Sequence, residues 1–151
     1  MKIKFLVSMA IFAVTSFSVS AQEVEIKDDK VLLDGKQILK YEKINIFQHS
    51  FYSLDDNEIL LYKYNDNETK QYSQDDYLVL NFLTEKTKVE TKDIMRATSG
   101  MGMNSRKNME KLVGWLLKEK VIDANGVLNP EKVQIFFEKY DQNITERTVR
   151  Y

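Results

Sequence analysis

Val31-Leu32-Leu33-Asp34-Gly35-Lys36-Gln37-Ile38-Leu39 decides the fold. Two apolar runs flank an Asp-Gly pair, and a two-residue hairpin turn needs positive φ, which Gly accepts without strain. The stretch therefore predicts two antiparallel strands in direct succession. Upstream, Glu23-Val24-Glu25-Ile26 alternates polar and apolar residues, the period of a half-buried strand, and Asp28-Asp29 supplies a turn. Downstream, residues 44–54 (INIFQHSFYSL) are rich in β-branched and aromatic residues and read as one strand, with a bulge allowed. Asp55 to Glu58 is the next turn, residues 59–64 (ILLYKY) a strand, and residues 65–76 a polar loop. Residues 77–83 (YLVLNFL) are apolar on both faces apart from Asn81, as expected of a central strand. Residues 84–92 alternate weakly and extend that strand or add another.

The period changes in the second half. Residues 99–103 (SGMGM) break the chain, and Asn104 or Ser105 can cap a helix. Met109, Leu112, Val113, Leu116 and Leu117 then share one helical face. Asn125-Gly126 ends this unit. Asn129-Pro130-Glu131 opens a second helix with a cap, a proline at the first helical position and an acid in the first turn. Val133, Phe136, Phe137 and Tyr140 form its apolar stripe. Strands followed by a segregated helix pair predict an α+β domain over residues 22–151. It comprises an antiparallel meander in the strand-rich part, 22–93, with the helical hairpin, 104–141, packed on the sheet.

Residues 1–21 read as a cleavable export signal. Lys2 and Lys4 precede a short apolar core at residues 5–14, and Val19-Ser20-Ala21 places small residues before a cut. A spanning helix wants about 20 mostly apolar residues, and this segment is shorter and hydroxyl-rich. No later stretch reaches spanning length, so no membrane span is expected after cleavage. The remaining chain has 20 basic and 23 acidic residues, with a net −6 over 22–93 and +3 over 94–151. An acidic, weakly polarised domain is a poor partner for nucleic acid, because phosphate attraction needs concentrated Lys and Arg. With no cysteine and one histidine, disulfide scaffolds, thiolate metal sites and multi-histidine sites are excluded. The Lys-, Asn-, Ile- and Tyr-rich composition, with a leader ending in Ala21-Gln22, resembles small exported proteins of the Bacteroidota. That resemblance implies export to the periplasm or the exterior, and carries over no site residue.

Few constellations carry chemistry. Asp123, Asn125, Gly126 and Leu128 match part of a calcium loop, but Val121 and Lys132 stand where its first and last carboxylates belong. About six to eight oxygens with negative charge are needed. Met95, Met101, Met103 and Met109 fall within fifteen residues, and thioethers are soft ligands for monovalent copper or silver. The same methionines also suit core filling. Gly100-Met101-Gly102, followed by Arg106 and Lys107, hints at an anion site but lacks either nucleotide fingerprint. His49 beside Ser50 is the one base from which a small hydrolase could be built, without the usual nucleophile elbow. The paired acids Asp28-Asp29, Asp55-Asp56 and Asp75-Asp76 sit where turns favour Asp. Tyr62 and Tyr64 lie on one side of a strand, where an exposed aromatic stripe would suit a partner. No catalytic residue and no cofactor is expected. The leading expectation is a non-catalytic exported interaction module whose partner is a protein or an envelope component. A methionine-based soft-metal binder and a small hydrolase are the alternatives.

Overall fold

A computed structural model describes residues 22–65, 76–97 and 105–145. The expected leader, Met101, Met103, Asn104 and Asp75 lie outside them. Seven antiparallel strands form one sheet in chain order: β1 (Val24–Lys27), β2 (Lys30–Leu33), β3 (Lys36–Asn45), β4 (Gln48–Tyr52), β5 (Glu58–Asn65), β6 (Tyr77–Phe82) and β7 (Thr87–Thr91). Two helices follow, α1 (Ser105–Lys118) and α2 (Pro130–Tyr140). This is the α+β meander with a helix pair that the sequence predicts.

Two-residue turns set the early register. Asp28 and Asp29 (φ 49° and 60°) join Lys27 to Lys30, and Asp34 and Gly35 (φ 50° and 84°) join Leu33 to Lys36. Both residues of each turn take positive φ, so the turn's twist matches that of the strands. One expectation is corrected here. Residues 44–54 are not one strand, because β3 runs to Asn45 and the chain reverses at Ile46-Phe47 into β4. The Asn45 side chain drives this reversal: its Oδ1 accepts from Phe47 N at 2.9 Å. The weakly alternating stretch after Phe82 turns back as a separate strand, β7.

Both helices pack on one face of the sheet, α1 against β1 and α2 against β7. The register places Ile26, Val31, Leu39, Phe51, Leu60, Leu80 and Val89 on that face, all buried. Met109, Leu112 and Leu116 of α1 and Val133 and Phe136 of α2 are buried in the same core. Each such side chain contributes about 1.5–3 kcal/mol by leaving water. Trp115, Phe136 and Tyr140 join the helices through ring contacts of 4.8–4.9 Å, and Phe82 meets Phe136 edge-on at 5.9 Å. The α1–α2 connection is anchored by Gly126 (φ 76°), which lies so close to β3 that a Cβ there would sit 2.1 Å from the Ile38 carbonyl oxygen.

An open sheet has two edges with unpaired backbone groups, and this chain covers both in part. At β1, Ile26 N donates to Glu110 Oε1 of α1 at 3.0 Å. At β7, the segment after α2 lies alongside the strand. Glu90 N donates to Asp141 Oδ1, Gln142 N to the Glu90 carbonyl, and Lys92 N to Gln142 Oε1, at 2.8–2.9 Å. The Glu90 carboxylate, 1% exposed, accepts from Thr145 N at 2.7 Å and pairs with Lys88 at 2.8 Å. Burial alone would raise its pKa, but the hydrogen bonds from Lys88 and Thr145 outweigh that and hold the carboxyl below its usual range.

Candidate functional site

His49 and Ser50 are neighbours in β4, so their side chains leave opposite faces of the sheet. His49 points to the helix-covered face and is 1% exposed. Its ring stacks on Tyr41 at 5.8 Å and meets Tyr62 at 5.6 Å, and its Nδ1 shares a 2.8 Å hydrogen bond with the Tyr41 hydroxyl. Desolvation lowers the His49 pKa to about 4, against an opposing pull from the Ile46 carbonyl. Burial, with Asp29 nearby, raises that of Tyr41 to about 12. Both groups are therefore neutral at pH 7. Ser50 Oγ instead donates to Glu58 Oε1 at 2.6 Å on the far face. The sheet itself thus separates His49 from its neighbour Ser50. Among the described residues no carboxylate hydrogen-bonds His49 to orient it as a base. The aspartates of two acid pairs, Asp28-Asp29 and Asp55-Asp56, occupy turns, with positive φ at Asp28, Asp29 and Asp56.

Tyr62 and Tyr64 do share a side, but it is the side the helices cover. Tyr62 is 3% exposed, and burial raises its pKa strongly. The reading of Tyr62 as part of an exposed stripe is thereby corrected. Which face receives the helices is a property of the whole sheet, and a strand's own alternation does not reveal it. Tyr64 is half-buried; it stacks on Phe47 at 6.2 Å, and its hydroxyl donates to Asp76 at 2.6 Å.

Exposed apolar surface gathers one hairpin away. Ile44, Ile46 and Phe47, at the β3–β4 reversal, are 48%, 61% and 40% exposed. The Tyr41 N–H bonds the Asp29 carbonyl, and β2 pairs with β3 no further than Lys40. The four residues from Glu42 to Asn45 therefore carry the hairpin about 13 Å past the β1–β2 turn, at about 3.3 Å per residue. Lys43 and Lys63 are exposed on its flanks, Lys63 opposite Gln48. Sequence reasoning missed this tip because it read straight through Asn45. The available signal was an Asn followed by two bulky apolar residues and a Gln, with no acid between Lys43 and Leu54.

The remaining candidates do not converge. Met109 is buried in the core and Met95 is 62% exposed on a single 3₁₀ turn, Ile94–Arg96. Met101 and Met103 are outside the described residues. The core role expected of Met109 holds, and that expected of Met95 does not. In the loop that resembles a calcium site, Asp123 Oδ1 accepts from the backbone of Asn125 and Val127 at 2.8 and 3.0 Å, and Asn125 Oδ1 accepts from Lys36. These oxygens are already used in shaping the turn. An open cleft of about 980 Å³ between β1 and the start of α1 is lined by four acids, Glu23, Glu25, Asp29 and Glu110, and three bases, Lys43, Arg106 and Lys107, so the signs are mixed. Among the described residues no group of three or more His, Asp or Glu side chains could hold a metal ion, and no helix is long and apolar enough to cross a membrane. No family model, no curated protein and no solved structure matches this chain.

Proposed function

We propose that this chain is an exported, non-catalytic interaction module that works at the cell envelope and makes contact through the β3–β4 tip. The observation that carries this reading is the clustering of Ile44, Ile46 and Phe47, all exposed, at the β3–β4 reversal beyond the last pairing of β2 with β3. A folded chain gains nothing in stability from large apolar side chains held in water, and such groups gathered at one projecting place suit a contact surface. The fate of the polar groups agrees. His49, Ser50 and Glu90 are buried, and each is bonded to a different partner in a different part of the fold.

A photo-crosslinking residue placed at Ile46 in the native host tests the reading, with the same residue at the exposed Glu131 of α2 as reference. Adducts formed at position 46 and absent at position 131 are expected. Equal yields at both positions, or none at either, would overturn the proposal.

A further inference from the structure

We infer that Asn125 is a modification site, an asparagine that deamidates without an enzyme, and that the seating of its loop on β3 sets the pace. Asn125-Gly126 is the one Asn-Gly pair in the chain. Glycine has no side chain to shield its nitrogen, which leaves that nitrogen open to the preceding carboxamide. In the reaction the Gly126 nitrogen gives its proton to hydroxide and bonds to Asn125 Cγ. The Cγ–Nδ2 bond breaks, ammonia leaves, and a five-membered succinimide closes. Water then opens the ring at either carbonyl and leaves aspartate or isoaspartate. In the folded chain the groups this needs are held. Gly126 N donates to the Asp123 carbonyl at 3.0 Å, and Asn125 N and Val127 N donate to Asp123 Oδ1 at 2.8 and 3.0 Å. Asn125 Oδ1 accepts from Lys36 Nζ at 2.9 Å. Gly126 is buried against the Ile38 carbonyl, with no room for its backbone to swing toward Cγ. Ring closure therefore waits for the loop to lift from β3, a local opening that needs less free energy than global unfolding. Asn125 itself is exposed, so water reaches the carboxamide at each opening. The two products then part ways. Aspartate keeps the main chain as it was and sets a carboxylate against Lys36. Isoaspartate routes the chain through Cγ, one carbon and about 1.5 Å longer. A seat too tight for a Cβ does not readmit that longer backbone, so the α1–α2 connection stays off β3.

The test holds the protein, expressed from its full-length gene, at mildly alkaline pH, either folded or unfolded in guanidinium chloride. Peptide mass spectrometry follows the gain of one dalton and assigns it to a residue. A gain at Asn125 is expected in both samples, at least tenfold slower in the folded one. Asp123→Ala removes the acceptor of two loop amides, and Lys36→Gln removes the ammonium that holds the Asn125 side chain. Each is expected to speed the folded-state gain severalfold and to leave the rate in denaturant unchanged. Thermal unfolding checks that both variants fold, and the exposed Lys36 keeps the test alive where Asp123→Ala does not. Asn125→Gln is expected to show no gain at that position, because its longer side chain closes a six-membered ring far more slowly. The isoaspartate product, separated by chromatography, is expected to melt below fresh protein, and Asn125→Asp to melt with it. Equal rates in the folded and unfolded samples, or no gain at Asn125 in denaturant, would overturn the inference. So would a folded-state rate indifferent to Lys36→Gln, or an isoaspartate form that melts with fresh protein.

Discussion

Replacing Gly126 by Ala should cost far more than the same change at Gly35, although both glycines have positive φ. At Gly35 an added Cβ meets nothing within 4 Å, so the cost is that of holding an L-residue in the left-handed region, about 1–2 kcal/mol. Gly126→Ala carries that same cost and a second one. Its Cβ would sit 2.1 Å from the Ile38 carbonyl oxygen, 2.9 Å from the Ile38 carbonyl carbon and 3.0 Å from Leu39 Cδ2. Backbone cannot swing aside as a side chain can, so the 122–128 loop has to lift by about 1 Å to restore contact distances. That movement loosens the Ile122–Leu128 bridge and the Lys36–Asn125 hydrogen bond, an overpacking cost of about 1–3 kcal/mol. The total is roughly 2–5 kcal/mol, against 1–2 at Gly35. Urea unfolding followed through Trp115, the one tryptophan, measures both variants on the same probe. Equal losses at the two glycines would refute the close seating of the loop on β3.

Three further outcomes are expected. His49 titrates near pH 6.5 when unfolded and near 4 when folded, so the unfolded state binds more protons between those values; stability should fall by about 3 kcal/mol as pH drops through that window, and His49→Gln should flatten that part of a pH-resolved melting series. The carboxyl of Glu90 is held below its usual range when folded, so its contribution is complete above pH 4.5 and lost as pH falls through the lower folded value; Glu90→Ala should cost about 1.5–3 kcal/mol at pH 7 by removing the charge-assisted hydrogen bonds that the carboxylate accepts from Thr145 and Lys88, with chemical unfolding as the measurement. Trp115 Nε1 is buried without a partner among the described residues, so Trp115→Phe should change stability by no more than about 1 kcal/mol, whereas Trp115→Ala should cost about 3–5 kcal/mol in calorimetry.

The parts of the fold written in local chemistry were legible from the chain alone. Asp28-Asp29 and Asp34-Gly35 announce their turns because positive φ selects those residues, and Asn129-Pro130 announces α2, where Asn129 Oδ1 accepts from Lys132 N at 3.3 Å. The β3–β4 turn escaped notice because it contains neither Gly nor Pro and is made by one side chain, Asn45, acting on the backbone two residues on. The candidate surface went unseen for the same reason, since a tip exists only where a strand is known to end. The opposite directions of His49 and Ser50 follow from strand alternation. The burial of Tyr62 depends on which face the helices choose, and that is fixed by contacts far apart along the chain. The segment after α2 is polar in sequence, and its polar groups are the ones β7 requires: Asp141 and Gln142 serve the strand's backbone across about fifty residues of intervening sequence.

That lateral seal on β7 has a consequence for how the molecule is made. A chain that emerges from its amino end can assemble the meander hairpin by hairpin, each new strand finding its neighbour already in place. Among the described residues the seventh strand has no such neighbour to come. Its outer flank stays available to any passing extended peptide until residues 141–145 arrive, after both helices. Completion is thus deferred until both helices have been delivered, and a copy truncated directly after α2 would be a sticky one.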